Sequence, residues 1–145
     1  MVDRSAETIW NGDLMSGSGT LSTLSSSVLK DTPVTWAART EVPEGKTSPE
    51  EMLAAAHASC YAMALSAHLG RSGTPPERLH VTATATFERA GQGFKVSRMR
   101  LDVRGRVPGL DQARFAEAAR AGEQGCPISN ALRNNVEITV NAILE

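Results

Sequence analysis

The stretch that most constrains this chain is Ser48–Gly70, SPEEMLAAAHASCYAMALSAHLG. It predicts one long helix. Ser48 is a good N-cap, Pro49 sits where a missing N–H is harmless, and Glu51 completes an S-x-x-E capping box. Gly70 is placed to close the helix as a left-handed residue, with a turn region at Gly73–Pro76. Between Met52 and Leu69 the residues are apolar or small almost all the way round, with no charge unless a histidine is protonated. A helix that is apolar on every side is expected to be buried on every side. Cys60, one of only two cysteines, stands in its middle. A thiol there is either inert packing or activated chemistry.

Short strands are expected before this helix. AETIW at 6–10 reads as a strand, and Asn11-Gly12-Asp13 as a tight turn. Ser16–Ser27 is rich in Ser, Gly and Thr, yet Thr20–Leu24 has strand-type residues. Asp31-Thr32-Pro33 reads as a turn. VTWAART then predicts a third strand ending near Arg39, and Glu41–Thr47 a polar loop. After the helix, Pro75-Pro76 breaks the chain. Leu79, Val81, Ala83, Ala85 and Phe87 alternate as a half-buried strand. Gly91-Gln92-Gly93 connects it to a return strand whose apolar residues pass from Phe94 and Val96 to Met99, Leu101 and Val103. That change of parity predicts a β-bulge near Ser97–Arg98. Asp111 caps a helix to about Ala121, interrupted by Gly122 and Gly125. Pro127 opens a short helix to about Leu132, and Val136–Ala142 alternate as a last strand. The expected fold is α+β, with antiparallel sheets around a long buried central helix.

At 145 residues the chain is read as a single domain, 1–145, without internal repeats. A chain of this size buries roughly 68–70% of its unfolded surface, enough for an ordinary core. A net charge of −1 suggests neither a nucleic-acid arm nor an anionic-membrane patch. The first ten residues lack the apolar run of a signal peptide. The apolar helix approaches membrane-spanning length, but seven alanines together with His57, Ser59, Ser66 and His68 argue against a bilayer. The expected location is cytoplasmic, where two cysteines are more often reduced or catalytic than a structural staple.

Each cysteine has a bland reading. Cys60 can be a small buried hydrophobe, and Cys126, in GCPIS, a half-buried loop residue. Pro127 at a first helical turn sets Cys126 near the N-cap, where exposed N–H groups favour a thiolate. His57 precedes Cys60 by three residues and shares its helical face, so His57, Cys60 and Cys126 offer three metal ligands. No C-x-x-C and no fourth ligand accompany them. His68 and His80 have no identifiable partners.

Activating Cys60 needs a cation. It lies far past the helix start, and the dipole effect fades within the first turn. The nearest upstream cations are Arg39 and Lys46, and a guanidinium in an apolar site needs a carboxylate, for which Glu50 or Glu51 is the supply. The bland readings are a surface arginine at a strand end and ordinary acidic residues in a first helical turn. Glu50 and Cys60 are ten residues apart, about 15 Å of helical rise with directions about 80° apart. They cannot share one arginine on one helix. A common site requires a second, antiparallel copy of the helix, and so a two-fold dimer. Small residues would let the helix backbones approach closely.

ETIWNGDL with SGSGTLS, AARTEVPEGKTSPEEMLAAAHASCYAMALSAHLG and GCPISNAL together resemble the OsmC/Ohr family of thiol-dependent hydroperoxide reductases, its OsmC branch in particular, over nearly the whole chain. The resemblance implies an intertwined homodimer with shared sites. It implies Cys60 as the peroxidatic cysteine, Cys126 as the resolving one, Arg39 as the residue hydrogen-bonded to the thiolate, and Glu50 as the carboxylate orienting it. Ser48 stands where the family commonly has Asn, and both cap helices. The implied reaction reduces an organic hydroperoxide to an alcohol through a sulfenic acid and an intramolecular disulfide, in oxidative or osmotic stress defence. An external dithiol, of lipoyl type by the same resemblance, is the implied reductant, and no metal or organic cofactor is required. The contrasting readings are a non-catalytic dimeric ligand-binding protein with structural cysteines, and a Cys/His metal protein.

Overall fold

The computed structural model describes all of residues 1–145. The chain divides into two compact units, Met1–Met52 and Leu53–Glu145, which are taken in turn.

In the N-terminal unit, β1 (Ala6–Asn11), β2 (Ser18–Thr23) and β3 (Thr32–Val34) form an antiparallel sheet in the order β1-β2-β3. The turn after β1 is organised by Asp13. Its Oδ1 accepts from the backbone N–H groups of Met15 and Ser16 at 2.8 and 2.9 Å, and its Oδ2 from the Ser16 hydroxyl at 2.6 Å. These bonds, the Ser16 hydroxyl foremost, hold its carboxyl below the usual range. Gly19 is required by closeness, since a Cβ there would stand 2.8 Å from the Trp10 ring.

The expected third strand over VTWAART is corrected. β3 stops at Val34, and α1 (Trp36–Thr40) follows. Thr35 is its N-cap, with Oγ1 accepting from the Ala38 N–H at 3.1 Å. The β-branched Val34 and Thr35 read as strand, but a Thr cap followed by Ala37-Ala38 favours a helical turn. Arg39 therefore sits in a last helical turn rather than at a strand end.

α2 runs from Pro49 to Arg71, its first residues falling in the N-terminal unit. Ser48 Oγ accepts from the Glu51 N–H at 3.1 Å. The Glu51 carboxylate accepts instead from the Thr47 hydroxyl at 2.7 Å, so half of the expected capping box forms. Gly70 remains helical, and the left-handed residue is Gly73, at φ 80°. The helix is not buried on every side. His57, Tyr61, Leu65 and Leu69 form one fully buried stripe, whereas Ala55, Ala56, Ser59, Met63, Ser66 and Ala67 are exposed. No helix is long and apolar enough to cross a membrane.

In the C-terminal unit, β4 (Arg78–Ala90) and β5 (Gly93–Arg106) form a hairpin. Thr86 pairs with Arg98 and Phe87 with Val96, which leaves Ser97 as the extra residue of a bulge at the expected place. α3 (Gln112–Gln124) starts at Asp111, whose Oδ1 accepts from the Arg114 N–H at 2.8 Å. It continues through Gly122 rather than ending near Ala121. Gly122 marks a close approach, because a Cβ there would stand 3.0 Å from the Leu65 Cα. α4 (Pro127–Leu132) and β6 (Glu137–Leu144) complete the chain. β6 lies parallel to β5, so this sheet, in the order β4-β5-β6, is mixed and not antiparallel as expected. The reason is the crossover: two helices carry the chain back to the same end of the sheet before β6 begins. The core joins Tyr61, Leu65 and Leu69 of α2 to Leu101 and Val103 of β5 and to Phe115 and Ala119 of α3.

Gly105 faces Phe115 so closely that an added Cβ would lie 2.3 Å from the ring. Gly105→Ala is expected to lower unfolding free energy by about 1–3 kcal/mol through overpacking, read as a lower denaturation midpoint at unchanged slope.

Candidate active site

The four residues singled out in the sequence fall into two pairs. In the N-terminal unit, α1 supplies Arg39 and the first turn of α2 supplies Glu50. Arg39 Nε donates to both carboxylate oxygens of Glu50 at 3.1 Å, and Nη2 donates to Oε1 at 2.7 Å. Glu50 rather than Glu51 takes the guanidinium, and Arg39 rather than Lys46 provides it. Glu50 is only 8% exposed. A carboxylate taken out of water needs such a multiply bonded partner. Trp36, one turn before Arg39, carries the guanidinium carbon 5.7 Å from its ring centroid. Beside the pair lies an apolar groove of about 550 Å³, lined by Trp10, Leu14, Val34, Trp36 and Met52 among others. The tryptophans and Leu14 were not singled out in the sequence, since only the fold gathers them.

In the C-terminal unit, Cys60 of α2 meets Cys126, the N-cap of α4. Both are free thiols, and Cys126 Sγ donates to Cys60 Sγ at 3.3 Å. A disulfide needs about 2.05 Å, so closure requires about 1.3 Å. Cys126 is fully buried and Cys60 partly so. Burial pushes the Cys60 thiol above its ordinary pKa. The Ile128 N–H pulls it down, and the neighbouring Cys126 sulfur pushes it up, leaving it raised. Of the N–H groups opening α4, that of Ile128 acts on Cys60. Cys60 also borders an open recess of about 370 Å³, with Met63, His68, Arg71 and Pro127. Arg71 belongs to α2 because the helix outlasts Gly70, which puts this arginine in its last turn.

His57, considered above as a metal ligand, is fully buried, with Nε2 2.7 Å from Ser129 Oγ. Burial holds its imidazole below the ordinary pKa, partly offset by the Glu123 carboxylate. No group of three His, Cys, Asp or Glu side chains is gathered closely enough to hold a metal ion. Ser129, Glu123 and Arg133 were not anticipated. Arg133 Nη2 donates to Glu123 Oε1 at 2.8 Å, tying the end of α4 to α3. The signal for Ser129 was present: it follows Cys126 by three residues, as His57 precedes Cys60 by three.

Residues 42–141 match the family described as OsmC-like protein. The chain is 36% identical over 140 residues to peroxiredoxin OsmC of Escherichia coli, covering 97% of this chain and 95% of that protein. It is 28% identical over 95 residues to an organic hydroperoxide resistance protein of Xanthomonas axonopodis pv. citri, 65% of each. In fold it is similar to the organic hydroperoxide resistance protein OhrB of Bacillus subtilis, with TM-score 0.73 and 23% identity, covering 97% of this chain and 98% of that one. An OsmC-like protein from Mycoplasma pneumoniae gives TM-score 0.75 at 17% identity, covering 99% and 97%. With a family match over more than half its length and a relative of this identity over nearly all of it, the chain belongs to the OsmC-like protein family.

Proposed function

We propose that this protein is a peroxidase that reduces organic hydroperoxides to alcohols with its two cysteines. The observation that carries the reading is the 3.3 Å approach of Cys60 and Cys126 sulfurs, and the names of the relatives point the same way. The Cys60 thiolate attacks the distal peroxide oxygen. The O–O bond breaks, the alkoxide leaves and takes a proton as the alcohol, and Cys60 becomes a sulfenic acid. Cys126 thiol then attacks the Cys60 sulfur, water leaves, and a disulfide forms. An external dithiol, lipoyl-type by family resemblance, reduces it. Cys60 is the catalytic nucleophile because it is the more accessible of the two thiols.

A raised thiol pKa leaves Cys60 mostly protonated at neutral pH, so the reading needs a cation. We assign it to Arg39, held by Glu50, of a second copy in a homodimer with shared sites. The support is the ten-residue separation of Glu50 and Cys60 on α2, about 15 Å of rise, and the exposed small-residue face of that helix. The apolar groove beside Arg39 would come with it, favouring an organic peroxide over hydrogen peroxide. Both units are taken as one OsmC-like domain, since the family match crosses their division at Met52. The thiol chemistry calls for no metal or organic cofactor, and its reduced cysteines suit the cytoplasm. A ligand-binding protein with inert cysteines is not favoured, because packing alone gives no reason for two thiols within reach of each other.

Cys60→Ser is expected to abolish hydroperoxide consumption; undiminished turnover would overturn the reading. Cys126→Ser is expected to complete one turnover and then accumulate the Cys60 sulfenic acid, detected by mass spectrometry after dimedone labelling. Arg39→Gln is expected to raise the midpoint of Cys60 alkylation against pH by about 1–3 pH units, because the guanidinium favours the thiolate. Light scattering at micromolar concentration is expected to give twice the chain mass, and a monomer would contradict the shared site.

A further inference from the structure

Two helices present matched pairs to each other. On α2, His57 and Cys60 are three residues apart; on α4, Cys126 at the N-cap and Ser129 are also three apart. Cys60 meets Cys126 at 3.3 Å, and His57 meets Ser129 at 2.7 Å. The contacts form two rungs of an antiparallel ladder, because the later residue of one helix meets the earlier residue of the other. The second rung does no chemistry in the peroxide reaction, yet both its residues are fully buried. A polar pair without access to water persists only if its hydrogen bond is kept.

We propose that the His57–Ser129 hydrogen bond is a positioning device that sets the register of α4 against α2 and so holds the Cys126 sulfur in bonding range of Cys60. It rests on the proposed function only for its role in turnover; its effect on the thiol–disulfide equilibrium does not.

Three features support the device. α4 has only six residues and no side-chain cap at its start, so its own backbone bonds hold it weakly in place. Its far end is tied to α3 by Arg133 and Glu123, and its thiol end by the Cys126 N–H donating to the Glu123 carbonyl at 3.1 Å; Ser129 supplies the hydrogen bond to α2. The His57 imidazole has no second partner, since Nδ1 is buried without a hydrogen bond. The tautomer with Nε2–H donating to Ser129 Oγ leaves only a bare lone pair at Nδ1, and burial keeps the ring neutral in that form. A ring with one partner gives α4 one seat. A slip by one residue would remove both rungs together.

The device acts on the step Cys60–SOH plus Cys126–SH to disulfide plus water, and equally on disulfide formation from the two thiols in a glutathione redox buffer. In that buffer oxidised glutathione is the oxidant, and two reduced glutathiones are produced for each protein disulfide. The equilibrium therefore tests positioning even if hydroperoxides prove not to be substrates. Ser129→Ala and His57→Leu are expected to shift it about tenfold toward the dithiol, the scale of one buried hydrogen bond. His57→Gln, whose side-chain amide keeps a donor near the Nε2 position, is expected to stay within about twofold of the parent protein. Under hydroperoxide, Ser129→Ala is expected to trap more Cys60 sulfenic acid as its dimedone adduct than the parent does. An unchanged equilibrium in Ser129→Ala, or equal losses in His57→Leu and His57→Gln, overturns the proposal. Thermal melting of the reduced variants separates misfolding from mispositioning. If Ser129→Ala proves unfolded, the contrast between His57→Leu and His57→Gln decides.

Discussion

Burial opposes ionisation, and the C-terminal unit is built around that opposition. Its two cysteines are drawn from water by the same packing that brings them together. Cys126 is completely buried, and Cys60 is pushed away from the thiolate mainly by desolvation. A thiol so placed is protected from indiscriminate oxidation, because the thiolate is the reactive species. Reactivity must then be supplied locally. One backbone N–H, that of Ile128, pulls toward the thiolate. On the proposed reading a cation completes the work, and it is the Arg39 guanidinium held by Glu50 in a second copy.

α2 links these demands. Of its buried stripe, Tyr61, Leu65 and Leu69 anchor it in the core with β5 and α3, and His57 meets Ser129 of α4. Its first turn supplies Glu50, and its middle supplies the thiol. The opposite face, of small residues and Met63, is exposed in the single chain. On the proposed reading the second copy covers it, and assembly and activity become one requirement. A dissociated chain would then retain both thiols but lose the means to ionise one of them.

Much of this architecture was legible because its signals are local. The caps at Ser48 and Asp111, the alternation over β4, the hairpin at Gly91-Gln92 and the bulge at Ser97 are each set by a few neighbouring residues. What escaped was non-local or finely balanced. Thr35 is at home in a strand and at an N-cap, and only its bond to Ala38 decides. The direction of β6 depends on where α3 and α4 return the chain. Exposure of the Ala55–Ala67 face depends on which distant elements the fold lays against α2. Of the site, Cys60 and Cys126 could be named as candidates from residue type and context, but their meeting across the fold was carried by family resemblance. The Ser129 partner of His57 was visible only as a matching spacing.

Gly122 gives the thiol pair a mechanical tolerance. The backbone of α3 passes so near α2 that a methyl group would stand 3.0 Å from the Leu65 Cα. α3 in turn leads through Gly125 directly to Cys126, and Glu123 anchors Arg133. The gap between two sulfurs is thus gauged partly by a residue with no side chain and no chemistry. Any larger residue there would act as a shim between the helices. A displacement of a few tenths of an ångström is small for a core but large against the ~1.3 Å that separates two thiols from a bond. Redox competence in this protein is in that sense a matter of clearance as well as of reactive groups.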